Sequence, residues 1–272
     1  MSTALITVDD LAEAMLSSRP PAVLDVRWQL GRDDGREQYA QGHLPGAVYV
    51  DLDTELAAPA DPALGRHPLP DLADLQSAAR EWGVDALAPV VVYDDNGGMS
   101  AARAWWLLRW GGVADVKILD GGLGAWREAG MRLSQGDARP RTGTVILTGD
   151  GLPTVDIDQV AATDALLLDA RAGERYRGET EPVDPRPGHI PGAVSAPTAD
   201  NLVDGRFRSA EDLRARFGGL GVDGEREVIV YCGSGVTAAH QIAALEHAGL
   251  TATLYPGSYS QWSSDPAKEV DL

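Results

Sequence analysis

Glu227 to Leu250 reads "EVIVYCGSGVTAAHQIAALEHAGL", and Pro89 to Gly112 reads "PVVVYDDNGGMSAARAWWLLRWGG". In each stretch, β-branched residues and a tyrosine lead into a glycine-bearing turn, and the turn leads into an alanine-rich run. A strand, a tight loop and a helix follow one another twice in the same order. The match extends outward in both directions. "AVLDVRW" (Ala22 to Trp28) is echoed by "LLLDARA" (Leu166 to Ala172), and "YAQGHLPGAVYVDLD" (Tyr39 to Asp53) by "RPGHIPGAVSAPTAD" (Arg186 to Asp200). Downstream, "VKILDGGLGAWREAG" stands against "ATLYPGSYSQWSSD". Repeats of this length are two tandem copies of one domain, not a short-period solenoid.

Short β-branched strands alternate with helical stretches in each copy. That alternation predicts an α/β fold in which each copy is a parallel sheet with helices on both faces. Residues 1–135 form the N-terminal copy and 151–272 the C-terminal one. The polar stretch "SQGDARPRTGT" marks the linker, taken over 136–150. Ligands of such sheets bind at the carboxyl ends of the strands, and Cys232 sits at one.

Composition narrows the function. The chain has 272 residues, 44% hydrophobic and 24% charged, as expected of a globular protein. Its apolar runs fall short of a membrane span, and the N-terminus lacks the pattern of a secretory signal. Cys232 is the only cysteine, which excludes an internal disulfide or a cysteine-based metal cluster and fits a reducing, cytoplasmic setting. A net charge of −18 argues against nucleic acid as a partner. Neither a cofactor nor a metal is called for.

The loop from Cys232 to Thr237 has its own physical logic. Gly233 and Gly235 let the backbone curl so that successive amides point inward, and the following helix adds its positive end. A free thiol is only about 3% thiolate at pH 7, and such a cradle favours the anionic sulfur. It would equally stabilise a second sulfur carried as a persulfide.

With these motifs the chain resembles a two-domain sulfurtransferase of the rhodanese family over nearly its full length. The resemblance implies a catalytically silent N-terminal copy, and Asp94 indeed stands where the second copy has Cys232. The loop Cys232-Gly233-Ser234-Gly235-Val236-Thr237 resembles that of the 3-mercaptopyruvate enzymes, whereas mammalian-type thiosulfate enzymes carry Arg and Lys after the cysteine. The resemblance implies further site residues: Arg175 in "ERYRGETEP" as one substrate arginine, Arg186 as the nearest candidate for the second, and a trio of Ser234, His67 and Asp53. The histidine and aspartate come from the first copy. They would move a proton to or from the thiol or the departing enolate. Gly233, Gly235, Val236 and Thr237 would line the bound substrate.

The expected reaction moves sulfur from 3-mercaptopyruvate through a Cys232 persulfide to cyanide or to a thiol, such as a thioredoxin-like protein or a small dithiol. The loop has no cation of its own for dianionic thiosulfate, which makes thiosulfate the alternative donor. A sulfur carrier without turnover is a further alternative. A cysteine phosphatase on the same fold would need an arginine at the end of a longer loop, and Ala238 stands there instead. Features that repeat in both copies read as scaffold: His43 and His189, and the pairs Asp25–Arg27 and Asp169–Arg171. His240 and His247 read as packed or solvated, the tryptophans of "AWWLLRW" as packing, and Tyr259 and Trp262 as pocket lining or rim.

Overall fold

A computed structural model describes residues 4–272. The chain divides into two compact units. The first comprises residues up to Ala57, Pro70–Leu152 and Asp204–Phe207; the second comprises Ala58–Leu69, Pro153–Val203 and Arg208–Leu272. Residues 58–69, which belong to the first copy in sequence, therefore pack with the second unit. Family resemblance follows chain order, and packing here does not.

In the first unit, β1 (Leu5–Ile6), β2 (Ala22–Asp25), β3 (Val48–Tyr49), β4 (Val90–Tyr93) and β5 (Val116–Leu119) form one sheet in the order β1-β5-β4-β2-β3, every pair parallel. The helices are α1 (Val8–Met15), α2 (Gly35–Gln41), α3 (Leu52–Glu55), α4 (Leu72–Glu81), α5 (Ala101–Trp110) and α6 (Gly122–Glu128). Val91 and Tyr93 pack with Leu11 of α1 and with Leu123 and Trp126 of α6. The alternate residues Val90 and Val92 are buried as well, as a sheet covered on both faces requires. Trp105 and Trp106 of α5 are fully buried in the core. The polar stretch expected as a linker is pinned to this unit. Gly143 N–H donates to Arg80 O at 2.7 Å, and Thr144 N–H to Val84 O at 3.1 Å.

The second unit repeats the plan. Its strands β6 (Leu166–Asp169), β7 (Val194–Ser195), β8 (Val228–Tyr231) and β9 (Thr253–Leu254) run parallel in the order β9-β8-β6-β7. A single parallel bridge from Thr154 to Leu254 holds the place that β1 holds in the first sheet. The helices are α7 (Ile157–Ala161), α8 (Gly173–Tyr176), α9 (Ala210–Gly219), α10 (Val236–His247) and α11 (Ser258–Ser264). Asp156 and Gln159 close a capping box at the start of α7.

The repeated polar motifs are scaffold in both units. Arg27 forks onto Asp25 and donates to Gly42 O at 2.9 Å; Arg171 forks onto Asp169 and donates to Gly188 O at 2.7 Å. Both pairs are buried, so removing one partner would strand a charge at a cost of about 3–5 kcal/mol. His43 stacks on Tyr39 at 4.0 Å and His189 on Tyr176 at 3.7 Å, and each ring bonds that tyrosine's carbonyl. The tyrosines ending the central strands also act alike: Tyr93 hydroxyl accepts Leu44 N–H, and Tyr231 hydroxyl accepts Ile190 N–H. Among the described residues no helix is long and apolar enough to cross a membrane.

Candidate active site

Cys232 follows β8, and α10 begins at Val236, so the loop between them is short and sharply curved. Gly235, the N-cap of α10, has φ of +79°, a conformation that favours glycine. Its N–H donates to the Cys232 sulfur at 3.1 Å, so a backbone amide and the start of a helix both address the sulfur. Cys232 is itself only 1% exposed. Its backbone is held from the other side by α11: Tyr259 N–H donates to Cys232 O at 2.9 Å, and Ser260 N–H to Gly233 O at 2.9 Å. Ser258 adopts φ of +52°, and its hydroxyl accepts Cys232 N–H while donating to Tyr255 O. The β8–α10 loop is thereby clamped by the β9–α11 loop.

Ser234 is buried, and its hydroxyl lies 2.7 Å from Nδ1 of His67. His67 reaches it from the segment 58–69 of the same unit. That segment is tied to α11: Arg66 N–H donates to Ser260 Oγ at 3.0 Å, and the Gln261 side chain donates to Ala63 O at 2.6 Å. Two members of the expected trio thus meet within the second unit. Asp53 lies in the first unit, where its carboxylate accepts the Trp28 indole N–H at 2.9 Å.

Of the two expected arginines, one stands at the loop. A Cβ built on Gly233 would lie 3.4 Å from a terminal nitrogen of Arg175, so the glycine permits a close approach. Arg186 is engaged elsewhere. Its guanidinium donates to the carbonyls of Trp262, Ser263, Asp265 and Lys268 at 2.7–3.0 Å, capping the end of α11. A second cation at the loop is Arg66, which was not among the expected residues: one of its terminal nitrogens lies 2.8 Å from that same Cβ position. The available signal was its place beside His67 in "GRHPLP".

Two carboxylates steady these arginines. Asp184 takes Arg175 on one oxygen at 2.9 Å and Arg66 on the other. Glu181 takes Arg175 at 2.6 Å and Arg171 at 3.4 Å, and also accepts the N–H groups of Val183 and Asp184. Burial pushes the Glu181 carboxyl up, but Arg175 and these amides outweigh it and hold it below the usual range. Burial likewise pushes Asp184 up, and Glu181 beside it adds to that against the pull of Arg66 and Arg175, so its carboxyl stays raised. A cleft of about 210 Å³ is lined by Arg66, Asp184 and Ser260 among others.

Other residues are packing. Trp262 is buried and donates to Glu269 O at 2.7 Å, while the Tyr259 ring lies 3.8 Å from the Arg171 guanidinium. His240 is buried against Thr198 at 2.6 Å.

A cysteine in an amide cradle at a helix start, with guanidinium groups beside it and a serine–histidine pair one residue away, is the equipment of a sulfur-transferring α/β enzyme. The Rhodanese-like domain family model matches residues 7–129 and again 157–265. The chain belongs to the rhodanese family, as two tandem rhodanese-like domains, and is a sulfurtransferase that works through a persulfide. It is 47% identical, over 98% of its length and 96% of the relative's, to the putative thiosulfate sulfurtransferase SseB of Mycobacterium tuberculosis. It is 45% identical, over 99% and 98%, to a probable 3-mercaptopyruvate sulfurtransferase of Pseudomonas aeruginosa. Among solved structures it is similar to the 3-mercaptopyruvate sulfotransferase SseA from Escherichia coli, with a TM-score of 0.84 at 32% identity over 95% of this chain and 99% of that one.

Proposed function

We propose that this enzyme takes sulfur from thiosulfate onto Cys232 and passes it to a thiol or to cyanide. The observation that carries the reading is the loop itself: the sulfur in its cradle, with the guanidinium groups of Arg66 and Arg175 on either account next to Gly233. The sequence-based preference for 3-mercaptopyruvate rested on the likeness of the loop to that of the 3-mercaptopyruvate enzymes, on the trio of Ser234, His67 and Asp53, and on a loop without cations. Tertiary structure supplies two from outside the loop, which removes that objection to a dianion. The relative named a putative thiosulfate sulfurtransferase supports the same reading.

In the first half-reaction the Cys232 thiolate attacks the outer sulfur of thiosulfate. The S–S bond breaks, sulfite leaves with the electron pair, and Cys232 holds a persulfide stabilised by the loop amides. In the second, an acceptor thiolate or cyanide attacks that outer sulfur and releases the Cys232 thiolate. Thioredoxin-like proteins and small dithiols fit as acceptors, since they present an accessible thiolate.

A second reading, 3-mercaptopyruvate as donor, is favoured by the 2.7 Å contact between Ser234 and His67. When the C–S bond breaks, pyruvate departs as an enolate and needs a proton at carbon, which that pair can deliver. Thiosulfate needs none. Comparing kcat/KM for the two donors tests the choice, and a higher value for 3-mercaptopyruvate would reverse it. Intact mass should rise by about 32 Da after donor alone, as a ping-pong mechanism requires. A Cys232→Ser protein that still gains that mass would refute the mechanism.

A further inference from the structure

Cys232 is 1% exposed, so each reactant has to be admitted to its sulfur. Cyanide needs a narrow opening. A thiolate carried on a polypeptide needs a wide one, because in-line attack brings it within about 3.5 Å of the outer sulfur with its backbone close behind. Two elements lie on the loop that follows β8. The β9–α11 loop is bound to it by main-chain hydrogen bonds to Cys232 O and Gly233 O, and lifting it would dismantle the cradle of the sulfur. The other is the strap Ala58–Leu69, in which Arg66 approaches Gly233 and His67 meets Ser234 at 2.7 Å.

The strap holds together as one piece. Ala58 N–H donates to Pro68 O at 3.2 Å across its base, and Asp61 and Gly65 exchange N–H···O bonds of 3.1 and 2.7 Å across its tip. Pro59, Pro62 and Pro68 stiffen the chain around these bonds. Both flanks are undercut. A cleft of about 210 Å³ is lined by Asp61 and Pro62 of the strap and by Val183 and Pro185. Another of about 410 Å³ is lined by Leu64 and Leu69 of the strap and by Val155 and Pro256. The tip is fastened to α11 by polar contacts that water can replace: Arg66 N–H on Ser260 Oγ at 3.0 Å, and the Gln261 side chain on Ala63 O at 2.6 Å. At Gly65 the backbones meet closely, since a Cβ there would lie 2.6 Å from Gly257 O.

We propose that this strap selects the sulfur acceptor: closed, it admits cyanide to the Cys232 persulfide, and it lifts from α11 as a rigid piece to admit a thiolate borne by a protein. This rests on the persulfide reading above and assigns the element that decides which acceptors reach it. Whichever nucleophile enters takes the outer sulfur, and the electron pair of the broken S–S bond returns to the Cys232 thiolate. Cyanide then leaves as thiocyanate, and a thiolate leaves as a new persulfide.

The test uses Cys232 as its own reporter, since alkylation of the chain's only cysteine reads access to it. Rates are compared for N-ethylmaleimide and for the bulkier N-pyrenylmaleimide. Gly65→Ala sets a methyl against Gly257 O at a φ of +101° and should wedge the strap open. It is expected to raise the pyrenylmaleimide rate about tenfold, the weight of roughly one hydrogen bond, and the ethylmaleimide rate by less than about threefold. Gln261→Ala removes the tether at Ala63 and should act in the same sense, about threefold on the bulky reagent and less than about twofold on the small one. With thiosulfate as donor, kcat/KM for reduced thioredoxin should rise with the bulky reagent's rate, while that for cyanide stays within about twofold. Equal acceleration of both reagents in the folded variants, or acceleration of neither, would overturn the proposal. So would amide exchange in which the N–H groups of Tyr259 and Ser260 open as readily as that of Arg66, since the β9–α11 loop would then be the gate. The alkylation arm decides the role of the strap even if Cys232 proves not to carry the persulfide.

Discussion

The loop after β4 and the loop after β8 start from the same strand–turn–helix plan and solve the same electrostatic problem with opposite consequences. In each, backbone N–H is directed at a point near a helix start, from four residues in the first loop and from Gly235 in the second. In the first unit the chain fills that point itself. The Asp94 carboxylate is buried and accepts N–H groups from Asn96 at 3.1 Å, Gly98 at 2.8 Å, Ser100 at 2.9 Å and Ala101 at 2.9 Å. Burial pushes the Asp94 carboxyl up, and these amides pull against it. In the second unit the same place holds a sulfur with one amide on it, beside guanidinium groups and a serine–histidine pair. An anion site occupied by its own carboxylate is a stabilising element. An anion site occupied by a nucleophile is a reactive one.

Writing the first solution into the second loop should give the largest effect. Cys232→Asp is expected to reduce sulfur transfer at least about a thousandfold, as loss of an essential nucleophile does, while the protein stays folded. Turnover together with a thermal melt checks both halves. A variant that unfolds instead would show that the two loops differ in backbone shape more than in side chain.

Emptying the first loop should cost stability. Asp94→Ala leaves three buried N–H groups and one part-buried one without their acceptor, and a loss of about 3 kcal/mol is expected once water has recovered part of the deficit. Asp94→Asn, which keeps one acceptor oxygen, should lose about half as much. Denaturant titration at neutral pH measures both, and a neutral Asp94→Ala would mean that the carboxylate is dispensable to the loop.

The smallest effect separates the two donors. Asn96, at the loop position of Ser234, is tied to its own unit through Trp28 O and Ser100, whereas Ser234 is offered to His67. Ser234→Ala should lower 3-mercaptopyruvate turnover about a hundredfold and thiosulfate turnover by less than about threefold, because only the first leaving group needs a proton. Equal losses with both donors would assign Ser234 to loop geometry instead of proton transfer.

The repeat, the parallel α/β sheets, and the glycine-bearing loop that carries Cys232 and Ser234 were legible because they depend on local order. Alternating strands and helices, a glycine at positive φ and a cysteine at a strand end all leave marks within a dozen residues. Of the charges beside the loop Arg175 was expected and Arg66 was not, because its place depends on which distant segments the core brings together. Arg186 and Arg66 are chemically equal as sequence. Packing against α11 gives Arg186 four carbonyls to cap, and ties the segment 58–69 to the second unit so that Arg66 and His67 meet the loop. A guanidinium finds its role through the groups within about 3 Å of it, and those groups are set by the tertiary fold.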